Sequence, residues 1–320
     1  MKGIAKISAR VKKRRAARRA ADAAYGPSWK AKQDGGITIL ESRALSSIPW
    51  LAHGFSTRVG GRSALGNSRV LNLGTTEWDT PQTVDANRAA FFRALGEKGF
   101  RLARLKQCHG DAIHFIDSLP GEPLNGDALL TRSPGFLLAV QTADCVPILF
   151  ADQRHHAVAA VHAGWRGTLA RIAEKALGRM AMEFDTKPKD VVAAIGPAIG
   201  GCCYEVGPEV AQAFAGQFAN ARDWFEGPFD RLASGDDPAP FPWLSMTPPG
   251  HEAPAPRVRL DLRAANRWQL ENAGIPSEQL AVSALCTACR ADFFFSHRRE
   301  NGKTGRMMAV IGIRNSKPAR

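Results

Sequence analysis

Two histidines and a cysteine stand at the ends or in the interiors of apolar runs: His109 in LARLKQCHGD, Cys145 in LLAVQTADCVPILF and His162 in AVAAVHAGWRG. Each has a small or polar neighbour that opens the backbone, Gly110, Asp144 and Gly164 respectively. Two imidazoles and a thiolate form a borderline-soft ligand set suited to Zn²⁺, and three protein ligands leave a fourth position for water, as catalytic sites do. The spacings of 36 and 17 residues match no local metal motif. Taken singly, each residue reads as a buried structural side chain. A second chemistry fits the same residues: a Cys–His hydrolase with Cys145 as nucleophile and a histidine as base. Either way the sulfur must be a thiolate, which a metal or an imidazolium ensures. Zinc would also bring the pKa of its water to about 7.

Other candidates carry less. Cys286 and Cys289 form a CxxC with no second CxxC, so the pair reads as packing, as does the vicinal pair Cys202 and Cys203. GKTG at 302–305 fails as a phosphate loop, because the glycine such a loop needs falls at 297, a histidine. Arg58, Arg166, Arg298 and Arg299 flank glycine, aromatic or histidine residues and suit either an anion or a solvated surface.

The elements that must position these residues are legible in outline. DANRAAFFRALG from Asp85 has helical spacing with Ala89, Phe92 and Leu95 on one face and a stop at Gly96. RLARLKQCHGDAIHFID alternates like a strand broken at His109 and Gly110. Residues 135–152 and 155–164 read as two strands covered on both faces. Residues 168–184 form a helix with Thr168 as N-cap, VVAAI is a strand, and Pro208 suits the first turn of the next helix. DLRAANRWQLENAGI is a helix ended by Gly274, and MMAVIGI (307–313) a last strand. Seven prolines without periodicity mark 234–257 as a surface insertion. Strands and helices interleave without regular βαβ alternation, which points to an α+β fold with mixed sheets.

The net charge of +13 is carried by one end of the chain. Residues 1–32 hold eleven Lys or Arg and one acid, leaving +3 on the other 288 residues. Residues 1–34 therefore read as a basic, disordered arm, and RNA or another anionic surface is its natural partner if it has one. No apolar run approaches the roughly 20 residues of a membrane span, and six cysteines without a secretion signal fit metal or thiol chemistry better than disulfides. The expectation is a soluble, cytoplasmic protein, monomeric or a small homo-oligomer, with no membrane partner.

HGFSTRVGG, NLG (72–74), LKQCHG, TADCVPILF, AAVHAGWRGT, GPAIGGCCYEVG and CTACRADFFFSHRRENGKTGRMMAVIGI, in this order, resemble the laccase-domain family. That family is also called multicopper polyphenol oxidase, and its members have been assigned as purine nucleoside phosphorylases. The resemblance implies one catalytic domain over 35–315, built as a four-layer α/β/β/α sandwich similar to cysteine-hydrolase-like folds. It implies that His109, Cys145 and His162 bind the metal and carry the catalysis. The arm and the 234–257 insertion lie outside the shared motifs.

The implied activity is phosphorolysis of adenosine, inosine and S-methyl-5′-thioadenosine by a zinc enzyme, with adenosine deamination beside it; no residue is identified as proton shuttle. Arg58 and Arg166 are the candidates for phosphate. Alternatives are an amidase that edits a peptidoglycan precursor and, from another class, an RNA-associated protein. A copper-dependent polyphenol oxidase is disfavoured: eight histidines include no His-X-His pair, although Cu²⁺ can occupy such a site in vitro.

Overall fold

Near-continuous apolar runs form the central strands of two six-stranded sheets. In spatial order the first runs Trp29–Asp34, Ile37–Ser42, Leu51–Ser56, Met307–Ile313, Phe136–Thr142, Arg101–Arg104. The second runs Leu280–Val282, Val191–Ile195, Val146–Asp152, Ala157–Ala163, Ala128–Thr131, Ile113–Phe115. Three neighbouring pairs are parallel and the rest antiparallel, so both sheets are mixed. The computed structural model describes residues 25–96, 99–233 and 257–315.

Because successive strand residues point to opposite faces, an apolar run can fill two cores at once. Leu138, Val140, Ala309 and Ile311 of the first sheet meet Leu129, Leu149, Val158 and Ala160 of the second in one buried cluster between the sheets. The alternate residues Leu137, Ala139, Met308 and Val310 face outward onto Phe91, Ala94 and Leu95 of the helix Pro81–Leu95. On the far side, Ile148, Phe150, Ala159 and Val161 pack against the helices Ile172–Phe184, Pro208–Gln217 and Leu262–Asn272. The result is the expected α/β/β/α stack.

Several local expectations change. The apolar stretch 135–152 holds two strands, one in each sheet: Phe136–Thr142 belongs to the first and Val146–Asp152 to the second. Likewise the segment broken at His109 leaves the first sheet after Arg104 and joins the second at Ile113. The helix expected from Asp85 starts at Pro81, where the Thr80 hydroxyl accepts from the Thr83 N–H. Its buried face is Val84, Asn87, Phe91, Ala94 and Leu95, while Ala89 is exposed, and Gly96 ends it in the left-handed region as expected.

Thr168 is no N-cap. A left-handed Arg171 splits the expected helix into Trp165–Leu169 and Ile172–Phe184. Thr168 is buried, and its hydroxyl and carbonyl accept from Asn266 and Gln269 of the helix Leu262–Asn272. The arm ends earlier than residue 34. Trp29–Asp34 pairs with Ile37–Ser42, and the Trp29 ring, 1% exposed, meets Phe55 edge to face. Residues 1–24 of the arm and 234–256 of the proline-rich insertion lie outside the described residues.

Candidate active site

Strand register brings the chemistry together. Val146 pairs with Ala163, so Cys145 and His162 arrive at the same end of one hairpin. On the other side of Ala157–Ala163, Val161 pairs with Ala128 and the His162 N–H donates to the Asp127 carbonyl at 2.8 Å. Both remaining members sit where the chain passes from one sheet to the other, His109 between Arg104 and Ile113 and Cys145 between Thr142 and Val146. One donor atom from each of His109, Cys145 and His162 lies within 4.8 Å of the other two, and the two imidazoles meet edge to face at 5.0 Å. His162 is buried, Cys145 half-buried and His109 exposed, so the trio opens to solvent on one side.

Tight backbone turns deliver these side chains. His109 has φ 60° and Asp144 φ 93°, the left-handed region that non-glycine residues rarely occupy. Asp144 is held there by the Thr287 hydroxyl at 2.6 Å and the Arg298 N–H at 2.7 Å. Gly164 keeps the space clear: a Cβ on it would lie 3.2 Å from Cys145 Sγ and 3.3 Å from His109 Cδ2.

Asp127 escapes the sequence reading and organises the site. Fully buried, its carboxylate accepts from the N–H groups of His109 at 3.1 Å and Gly110 at 2.8 Å and from His162 Nδ1 at 2.8 Å. Burial opposes its charge, but these bonds win and hold the carboxyl well below the usual range. The Nδ1 contact assigns that proton to Nδ1 and leaves Nε2 for Cys145 or a metal, the carboxylate–histidine arrangement of metal sites. Burial likewise opposes ionisation of Cys145, yet the charge of His162 and hydrogen bonds from both histidines bring its thiol down to about 6. Burial disfavours protonated His162, and Cys145 and Asp127 push it up to about 9. Without a metal these groups form a thiolate–imidazolium pair. Two imidazole nitrogens and a thiolate, with an anion behind one imidazole, also fit a metal ion.

The arginines divide. Arg58 bonds Glu300 at 2.9 Å and the Ala291 carbonyl at 2.8 Å and covers the Phe295 ring, so its guanidinium holds the 291–300 segment in place and is not free for phosphate. Arg166 is exposed one turn beyond His162, its guanidinium stacked on Trp165. Arg298 lies over the Tyr204 ring and bonds the Glu205 carbonyl, and exposed Arg299 donates its backbone N–H to Ser296. Arg306, unremarked in the sequence, lines an open cleft of about 730 Å³ with Trp78, Lys303 and Thr304. Burial lowers its pKa against the opposing charges of Cys145 and Asp144, which places the guanidinium within their field.

Comparison with known proteins agrees with this architecture. The family model described as multi-copper polyphenol oxidoreductase laccase matches residues 52–314. A Deinococcus radiodurans protein named purine nucleoside phosphorylase is 40% identical over 278 residues, 87% of this chain and 94% of that one. A Bacteroides thetaiotaomicron protein of the same name is 36% identical over 284 residues, covering 86% and 96%. The crystal structure of Bacillus licheniformis hypothetical protein YfiH superposes with a TM-score of 0.73 at 32% identity, over 89% of this chain and 99% of that one. On a match of this extent, over a mixed α+β fold that the solved relative shares, the chain belongs to the multi-copper polyphenol oxidoreductase laccase family.

Proposed function

We propose that the protein is a purine nucleoside phosphorylase acting on adenosine, inosine and S-methyl-5′-thioadenosine, with adenosine deamination as a companion activity, and that His109, Cys145 and His162 hold its Zn²⁺. The observation that carries this reading is the convergence of His109, Cys145 and His162 with Asp127 behind His162. The volume of the cleft lined by Arg306, about 730 Å³, is in the range of small-molecule sites. The names of the Deinococcus and Bacteroides relatives support the same reaction.

Phosphorolysis breaks the bond between the purine and C1′ and forms one from C1′ to a phosphate oxygen, through an oxocarbenium-like state. The base leaves with a proton and ribose 1-phosphate remains. Arg306 and Lys303 supply the cations that orient the phosphate, and the half-buried Trp78 ring gives the purine an apolar face. Arg166 is a further cation at the His162 end; Arg58 is withdrawn from that role. Asp127 fixes the His162 tautomer and ring plane, and Gly164 leaves room for substrate. Zinc held by His109, Cys145 and His162 would supply Lewis-acid polarisation of an oxygen and the chemistry for deamination at the purine C6.

Purified protein given adenosine should release adenine and ribose 1-phosphate only when phosphate is present; no adenine release overturns the phosphorylase reading. Inosine formation without phosphate tests deamination separately. The donor set argues against multi-copper oxidation despite the family's description. Among the described residues, the only group of potential ligands with imidazoles has two of them, too few for a copper cluster. Cysteine-dependent amide hydrolysis is the second reading, favoured by the Cys145 thiol at about 6 beside His162. It needs water alone, and on a peptidoglycan precursor it releases an amino acid.

A further inference from the structure

The two cysteine pairs that look unrelated in sequence converge in space. One sulfur from each of Cys202, Cys203, Cys286 and Cys289 lies within 4.8 Å of the other three. Cys289 Sγ is 3.5 Å from Cys202 Sγ and 3.4 Å from Cys203 Sγ. An ion holding four thiolates tetrahedrally at about 2.3 Å spaces its sulfurs about 3.8 Å apart. A disulfide brings two sulfurs to about 2.05 Å, and all four cysteines are free here.

The backbone is arranged around these sulfurs. Cys203 and Tyr204 N–H groups both return to the Gly200 carbonyl, a tight turn that presents the vicinal pair. Ala198 and Cys286 form an isolated parallel bridge that brings the CxxC beside this turn. The Gly200 N–H donates to Cys286 Sγ at 3.2 Å, an N–H···S bond that stabilises a thiolate ligand. Gly200 lies close against the cluster: a Cβ on it would stand 2.7 Å from Arg263 Nη2, 3.2 Å from Cys202 Sγ and 3.4 Å from Cys286 Cβ. Arg263 thus lies against the cluster. Its cation offsets part of the net charge of −2 that a divalent ion with four thiolates carries.

We infer that Cys202, Cys203, Cys286 and Cys289 bind a second Zn²⁺ in a closed, tetrathiolate site. Four soft donors converging within 4.8 Å of one another select zinc among redox-inert ions. The two missing ligands of the CxxC are the vicinal pair, which arrives from 83 to 87 residues upstream. With no open position, the ion staples two segments together and does no chemistry of its own. Those segments brace the active site. Thr287, between the CxxC cysteines, donates to the Asp144 carboxylate, and the Ile199 N–H donates to the Asp144 carbonyl at 2.9 Å. The assignment is independent of the nucleoside reading.

The test is metal content and coordination of the full chain after exhaustive dialysis. Cys145→Ala should retain zinc, and X-ray absorption on that variant should show four sulfur scatterers at about 2.3 Å. Cys286→Ser/Cys289→Ser in the same background should lose that ion. If this variant does not fold, Co²⁺ exchanged into the Cys145→Ala protein reports instead, its thiolate charge-transfer absorption scaling with four sulfurs. Three results overturn the assignment: no zinc in Cys145→Ala, iron in its place, or a disulfide joining Cys289 to Cys202 or Cys203 in non-reducing peptide maps.

Discussion

Asp127 is the residue on which the trio depends, because one carboxylate fixes a ligand's ring and also the backbone on either side of another. Its His162 Nδ1 bond is charge-assisted, and the N–H groups of His109 and Gly110 meet the same carboxylate. Asp127→Asn keeps the shape and removes the anion. Zinc affinity should fall about 10- to 100-fold, as losses behind a metal-ligating histidine do. Competition against a chelator measures it; unchanged affinity would show that His162 orients itself. His109, Cys145 and His162 are legible in sequence as a ligand set by residue type, but their spacing belongs to no local motif, so family likeness was needed to strengthen the assignment. Asp127 stayed hidden because NGD reads as a turn. Its one signal was an acid placed directly before the apolar run ALLT. Arg58 misled for the opposite reason, since a motif arginine beside glycines says nothing of the Glu300 that neutralises it.

At the scale of elements, the site stands on two crossings between sheets, and neither was legible. LLAV and PILF are equally apolar, because each fills a face of the shared core and a face toward a helix layer. Hydropathy cannot show a change of sheet when both sheets are covered on both sides. Helices were read better, since Gly96, Gly274 and Pro208 mark their ends by backbone geometry alone. The crossing before Cys145 turns on Asp144, whose left-handed φ carries strain of about 1–3 kcal/mol. Thr287→Val removes a buried donor to that carboxylate and should destabilise the fold by about 2 kcal/mol in urea titration. The released Asp144 should also lower turnover more than it raises KM. A variant as stable and active as the wild type would show that Arg298 alone holds the turn.

Across the whole molecule, a buried histidine outside the trio contributes to the response to acid. His53 is buried, and its Nε2 accepts the Ser42 N–H at 3.1 Å. Burial brings its pKa down to about 4, outweighing the nearby Glu41. Between about 6.5 and 4 the unfolded chain therefore binds a proton that the folded one refuses, and stability is lost as the pH is lowered through this window. The slope is about 1.4 kcal/mol per pH unit, roughly 3 kcal/mol across that window, with no contribution to the slope above it. His53→Gln keeps an acceptor for Ser42 and should flatten this part of the stability–pH curve; equal slopes in both proteins would assign the acid loss elsewhere. The basic arm calls for a different experiment. Removing residues 1–24 spares Trp29 and its strand, so turnover should be unchanged while any salt-sensitive RNA binding disappears. A last consequence follows from Met307–Ile313, which lies in the middle of the first sheet between Leu51–Ser56 and Phe136–Thr142. On the ribosome, both flanking strands emerge long before it and wait with open edges. The first sheet can close only after residue 313 has been translated, so Leu51–Ser56 and Phe136–Thr142 each keep an unpaired edge until then.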